Sequence, residues 1–131
     1  MNTPVYDFLI QYAERDPVRL HMPGHKGRFG APALQRATTL DLTEITGADS
    51  LFEAEGILAE SERNAASLYG TAYTFYSCGG STLCIQTMLL LMKQQGRAVL
   101  AARNVHRAFL NTCVLLDLPV QWIYPRESDG I

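Results

Sequence analysis

Two short stretches carry the side chains that could do chemistry. The first, Gly79-Gly80-Ser81-Thr82, lies between a run of β-branched and aromatic residues and a long apolar stretch. A helix start offers unpaired backbone N–H groups and a partial positive charge. Glycines there let a ligand approach the backbone, and the two hydroxyls add donors. This combination suits an anion, phosphate above all. The plainer alternative is that Ser81 or Thr82 caps the helix while the glycines make a tight turn. The turn has no Lys after its second Gly and no Gly-x-Gly-x-x-Gly, which disfavours ATP, GTP and dinucleotides.

The second stretch is "ARNVHRAF", Ala102 to Phe109, which places His106 just past a short apolar run. A lone histidine at a helix start is most often a surface or capping group. If the run before it is a parallel strand, however, His106 shares the C-terminal sheet edge with the Gly80 turn, where α/β sheets place their ligands. Cys78 has no histidine beside it and reads as a structural thiol, and Gly79-Gly80-Ser81 is not the Gly-x-Ser-x-Gly of a serine nucleophile. A zinc site from Cys78, Cys84 and His106 would straddle a turn and a helix, which is poor ligand geometry. The three cysteines, with no Cys-x-x-Cys, read as reduced and mostly buried. His21 and His25 have metal-pair spacing only on a helix, and Pro23 and Gly24 between them rule one out.

The elements that must position these residues follow from periodicity. Val5, Phe8, Leu9 and Tyr12 recur at helical spacing over Pro4 to Arg15, with Thr3 as cap. Arg19 to Ser50 is broken by glycine and proline and reads as one long loop, functional or held against a partner. Leu58 to Tyr69 is helical and stops at Gly70. Thr71 to Ser77 reads as a strand. A helix then runs to about Gln95, apolar nearly all round and so expected to be buried. Arg97 to Ala101 reads as a strand, Val105 to Leu116 as a helix and Pro119 to Tyr124 as a third strand. Strand and helix in alternation predict an α/β layer with parallel strands.

At 131 residues, 47% hydrophobic and 18% charged, the chain suits one compact domain rather than disorder. A net charge of -2 gives no basic field for nucleic acid or anionic membrane. Apolar runs such as Met88 to Met92 are far too short to cross a bilayer. The start, Met1-Asn2-Thr3-Pro4, has no export signal, so the expected location is the cytoplasm.

"RLHMPGHKG" (Arg19 to Gly27), "DLTEITGADSLFEAEGILAESERNAASLYG" (Asp41 to Gly70), the glycine turn and "ARNVHRAF" occur in the order found in the Orn/Lys/Arg decarboxylases. The chain resembles that family of pyridoxal-phosphate enzymes, which have the aspartate-aminotransferase fold. The resemblance implies an α/β fold: an incomplete three-layer large domain with about three strands and flanking helices. Residues 1–50 would be an N-terminal helix and interface loop, and 51–131 the first part of the cofactor-binding domain. Gly80, Ser81 and Thr82 match the family's phosphate turn, and His106 matches the histidine that stacks on the cofactor ring. His25 and Lys26 match a loop near the active-site mouth at the dimer interface. Three positions depart from the pattern: Gly79 stands for Asn, Arg107 for Lys and Ala108 for Ser.

The substrate implied is a basic amino acid, and the assembly a homo-oligomer. The lysine that attaches the cofactor in the family lies beyond residue 131, and neither Lys26 nor Lys93 matches its motif. The chain is therefore expected to be an N-terminal portion, inactive and free of pyridoxal phosphate by itself. The alternatives are another reaction on the same fold, such as transamination, and a non-catalytic fragment that only folds or self-associates. In the whole fold Thr71 to Ser77 lies apart from the other two strands. Self-association, or a different strand order, is expected to cover it in the isolated chain.

Overall fold

The computed structural model describes residues 2–124. Contacts divide the chain into two compact units, one ending at Tyr76 and the other starting at Ser77.

The first unit holds α1 (Pro4–Glu14), α2 (Pro32–Leu40) and α3 (Ile57–Tyr69). Pro4 and Pro32 each occupy a first helical turn, where proline's missing N–H costs no hydrogen bond. Helix α1 packs against both α2 and α3. At the end of α3, Gly70 takes a left-handed φ of 65°. Its N–H reaches Ser67 O, and that of Thr71 reaches Ala66 O, which spends the last carbonyls of the helix.

The second unit holds α4 (Gly80–Gln94), β1 (Val99–Ala102), α5 (Arg107–Leu115) and β2 (Val120–Ile123). The strands are parallel, with Val99 opposite Val120 and Ala102 opposite Ile123. Helix α5 makes the crossover that parallel strands require. The core is Leu89 from α4, Cys113 from α5 and Leu118, with Ile85, Val99, Phe109, Leu116 and Val120 packed against it.

The fold is mixed α/β, as expected, but several local expectations are corrected. The strand expected at Thr71 to Ser77 is unpaired, so two strands rather than three form among the described residues. The segment is tied instead to α3: Tyr76 N–H donates to Glu62 Oε1 at 2.9 Å, and Tyr76 Oη bonds Ser61 Oγ at 2.8 Å. Tyr73 and Phe75, two apart on this extended chain, stack with ring centres 6.4 Å apart and are 79% exposed. The loop expected from Arg19 to Ser50 contains α2. Helix α4 is not enclosed, because among its side chains only Leu89 is buried while Leu83, Met88, Leu90 and Leu91 are exposed. Cys78 and Cys84 are exposed, and only Cys113 is buried. None of the described helices is long and apolar enough to span a membrane.

Candidate functional site

In the second unit, α4 and α5 each lead through a short connection into one of two parallel strands, so both helices run the same way. Ile85 and Leu89 pack into the cluster that holds Phe109 and Cys113, and Lys93 Nζ donates to Leu116 O. The same register brings His106 roughly level with Thr82, by the rise of an α-helix. Packed helices lie about 8–10 Å apart. The Gly80 turn and His106 therefore open side by side at one end of the unit, the end where the strands finish.

The start of α4 is open. Gly79 is its N-cap residue, with no side-chain cap, and its N–H donates to Ser77 Oγ at 3.2 Å. The N–H groups of Gly80, Ser81 and Thr82, and the hydroxyls of Ser81 and Thr82, meet no acceptor among the described residues. Gly80 has φ +64°, which glycine alone adopts without strain, and nothing lies within 4 Å of where its Cβ would be. Backbone donors thus face open space, as a bound phosphate would require. At Gly79 the space is filled: a Cβ would lie 2.5 Å from Leu83 Cδ2 and 2.6 Å from Leu83 Cβ. The glycine in place of the family's Asn accommodates Leu83.

His106 is the N-cap residue of α5, and its Nδ1 accepts from Ala108 N–H at 3.1 Å. That bond assigns the proton of the neutral ring to Nε2. His106 is exposed, with its ring held through Nδ1. Thr112 Oγ1 donates to Ala108 O at 2.6 Å within the buried face of α5, where burial also pushes the Cys113 thiol up.

His25 and Lys26 belong to the other unit, and both are engaged locally. His25 Nδ1 accepts from Gly27 N–H at 3.0 Å, and Nε2 donates to Asp41 Oδ2 at 3.2 Å. Lys26, at φ 53°, donates from Nζ to His21 O at 2.5 Å. Arg19 stands over the Tyr12 ring at 5.1 Å and donates to Thr39 O at 2.6 Å. Gly27 is buried against the Arg19 guanidinium and takes φ +74°, a left-handed conformation that favours glycine. Lys93 lies on α4 about 20 Å along the axis from Gly80. Lys93 is thus at the far end of its helix from the Gly80 turn, and Lys26 is bonded within its own loop.

Two features escaped the sequence reading. Asp49 Oδ1 accepts from the N–H groups of Ser50 and Glu55 at 3.0 and 3.1 Å, and Oδ2 from those of Gly56 and Leu58 at 2.8 and 3.0 Å. These bonds, that of Glu55 foremost, hold its carboxyl down at about 2 against the opposing effect of burial. Arg103 places its guanidinium over the rings of both Trp122 and Tyr124. A charge spaced six to nine residues from the helix start it caps, and an arginine resting on aromatics about twenty residues further on, leave no local sequence signature.

Residues 3–129 match the model of the Orn/Lys/Arg decarboxylase major domain. The chain is 31% identical over 129 residues to an arginine decarboxylase of Halalkalibacterium halodurans, covering 94% of this chain and 26% of the relative. It is 32% identical over 135 residues to an arginine decarboxylase of Bacillus subtilis, covering 98% and 28%. Against the lysine decarboxylase LdcA of Pseudomonas aeruginosa the identity is 23%, over 96% of this chain and 18% of the relative. The chain thus spans about a quarter of the length of the arginine decarboxylases it matches.

Proposed function

Because the chain belongs to the Orn/Lys/Arg decarboxylase family, we propose that it is the N-terminal part of a pyridoxal-phosphate-dependent decarboxylase of a basic amino acid. The family match over residues 3–129 carries this reading. The residues at the open end of the second unit fit the cofactor's anionic end. Gly80, Ser81 and Thr82 would take its phosphate on free N–H and hydroxyl donors, with the helix dipole adding charge. His106 would lie against its ring, its edge fixed by the bond from Ala108.

When bound, the cofactor supplies the electron sink for the carbanion left as carbon dioxide departs. The share of this chain is to anchor and orient. The attachment lysine would come from outside these residues, since neither Lys26 nor Lys93 matches the motif that the resemblance implies for it. Residues 51–131 would contribute the first part of an aminotransferase-type large domain. Residues 1–50, with α1, α2 and the loop of His25 and Lys26, would form an N-terminal helical and interface segment of a cytoplasmic homo-oligomer.

Equilibrium dialysis of the chain with pyridoxal phosphate, with carbon dioxide release measured on arginine, lysine and ornithine, tests both parts. The chain is expected to hold no cofactor of its own but to bind added cofactor weakly and reversibly, with displacement by inorganic phosphate and no release of carbon dioxide. Turnover above that of a Gly80→Asp control would overturn the argument from the lysines. Binding indifferent to inorganic phosphate and to Gly80→Asp would overturn the role of the turn.

A further inference from the structure

His106 is bracketed by two residues that rest on one indole. Arg103, before it, places its guanidinium carbon 5.5 Å from the centre of the Trp122 ring and 5.6 Å from that of Tyr124. Phe109, after it, meets the same Trp122 edge-on, with centres 6.5 Å apart and planes at 71°. Trp122 and Tyr124 are two apart along extended backbone and project to the same side. Trp122 sits on β2 opposite Ala101 of β1, so it is fixed by the sheet.

Between these anchors the chain has little else to hold it. Arg103 and Asn104 form an exposed turn, and His106 itself is exposed. Its direction rests on the bond from Ala108 and on where the turn delivers it. A guanidinium plane suits contact with two ring faces, whereas an ammonium has no plane to offer.

We infer that Arg103 is a positioning residue, which, clamped over the rings of Trp122 and Tyr124, fixes the turn that aims His106 toward the open start of α4. The clamp does more than tie β1 to β2, because Arg103 and Phe109 hold both sides of His106 to one ring. Its consequence for ligand binding rests on the proposed role of His106; its consequence for the imidazole does not.

Two measurements on the 131-residue chain separate these. In the first, nitrogen NMR follows the His106 ring and the Ala108 amide in Arg103→Met and Tyr124→Leu. Both variants should keep their helix content, lose the Nε2–H tautomer signature and exchange the Ala108 amide about tenfold faster. A wild-type signature in both would overturn the inference. Should Arg103→Met fail to fold, Tyr124→Leu, which keeps the cation and the indole, decides the same point.

In the second, emission from Trp122, the single tryptophan, is followed during titration with pyridoxal phosphate. Arg103→Met and His106→Ala should each weaken binding about fivefold, the scale of one lost ring contact. The double variant should lose no more than His106→Ala alone. Additive losses would show that Arg103 does not act through His106. Absence of binding by the wild type would remove the cofactor role of His106 and leave the NMR result to judge Arg103.

Discussion

Helices α3 and α4 both begin at a glycine with no side-chain cap, Gly56 in one and Gly79 in the other, yet their first turns are treated in opposite ways. The first turn of α3 is met by the Asp49 carboxylate, which takes four N–H groups from the loop and the helix start. The first turn of α4 meets no acceptor among the described residues. Every helix start is a latent anion site. In α3 the chain supplies its own anion, and in α4 it leaves the place open beside an exposed imidazole.

The contrast changes what the family-specific segment means. Asp49 lies within "TGADS", part of the stretch that most distinguishes this family in the sequence. Its work here is structural, because a carboxylate that accepts four N–H bonds has little capacity left for a ligand. Asp49 also takes φ 69° just after Gly47 at φ 87°, which bends the chain back toward α3. The helix it caps then carries Ser61 and Glu62, which hold Tyr76 just before the second unit starts.

Emptying the filled site should have the largest effect. Asp49→Asn turns two of the acceptor positions into an NH₂ facing N–H donors, and Asp49→Ala removes all of them. Both should lower the thermal midpoint by several degrees. Since the folded value of about 2 lies below the ordinary 3.8, the contribution of Asp49 is complete above about pH 4. It is lost as pH falls toward 2. Melting curves taken between pH 5 and 2 should show the wild type losing its advantage over Asp49→Asn across that window. A constant gap would mean that the carboxylate is not what fills the α3 start.

Filling the open site should have a smaller effect, the net of two opposing terms. Gly79→Asn offers α4 a side-chain cap, worth about 0.3 kcal/mol over glycine. It also drives a Cβ against Leu83, and overpacking of that kind costs about 1–3 kcal/mol. The expected net is a loss of about 1 kcal/mol in chemical denaturation, eased only in part when Leu83→Ala is added, because alanine keeps the Cβ that would lie 2.6 Å away. A stabilised single variant would show that Leu83 yields freely and that glycine is not required at this position.

How far the sequence reveals all this depends on the range of the interaction. The Pro4 and Gly70 signals mark α1 and α3 well, because caps and breakers act within a turn. Both short parallel strands and the helix between them are legible from alternation. Helix α2 is hidden because Pro32, which reads as a break, is its first turn. Thr71 to Ser77 has strand composition, but pairing is non-local, and its partner groups among the described residues are side chains of α3. The apolar circumference of α4 reads as a buried helix because composition records what a side chain prefers, not whether a neighbour is present. In the site itself, the Gly80 turn and His106 are visible locally. The register that brings their helix starts together, the Asp49 cap and the Arg103 clamp depend on tertiary contacts.

The smallest expected change in stability is also the closest test of the contrast. Ser81 and Thr82 stand in the first turn, just past the Gly79 cap position, though on sequence grounds either could have been the cap. Neither hydroxyl has a partner among the described residues, so Ser81→Ala with Thr82→Val breaks no internal hydrogen bond. Stability should therefore stay within about 0.5 kcal/mol of wild type, as for surface substitutions that touch nothing. Binding is different, since each hydroxyl lost removes a donor to a charged ligand. Affinity for inorganic phosphate, measured by calorimetry, should fall about tenfold. If instead stability drops by more than about 1 kcal/mol while phosphate binding is unchanged, the hydroxyls are caps. The α4 start would then be filled from within, as α3 is, and the difference between the two helices would disappear.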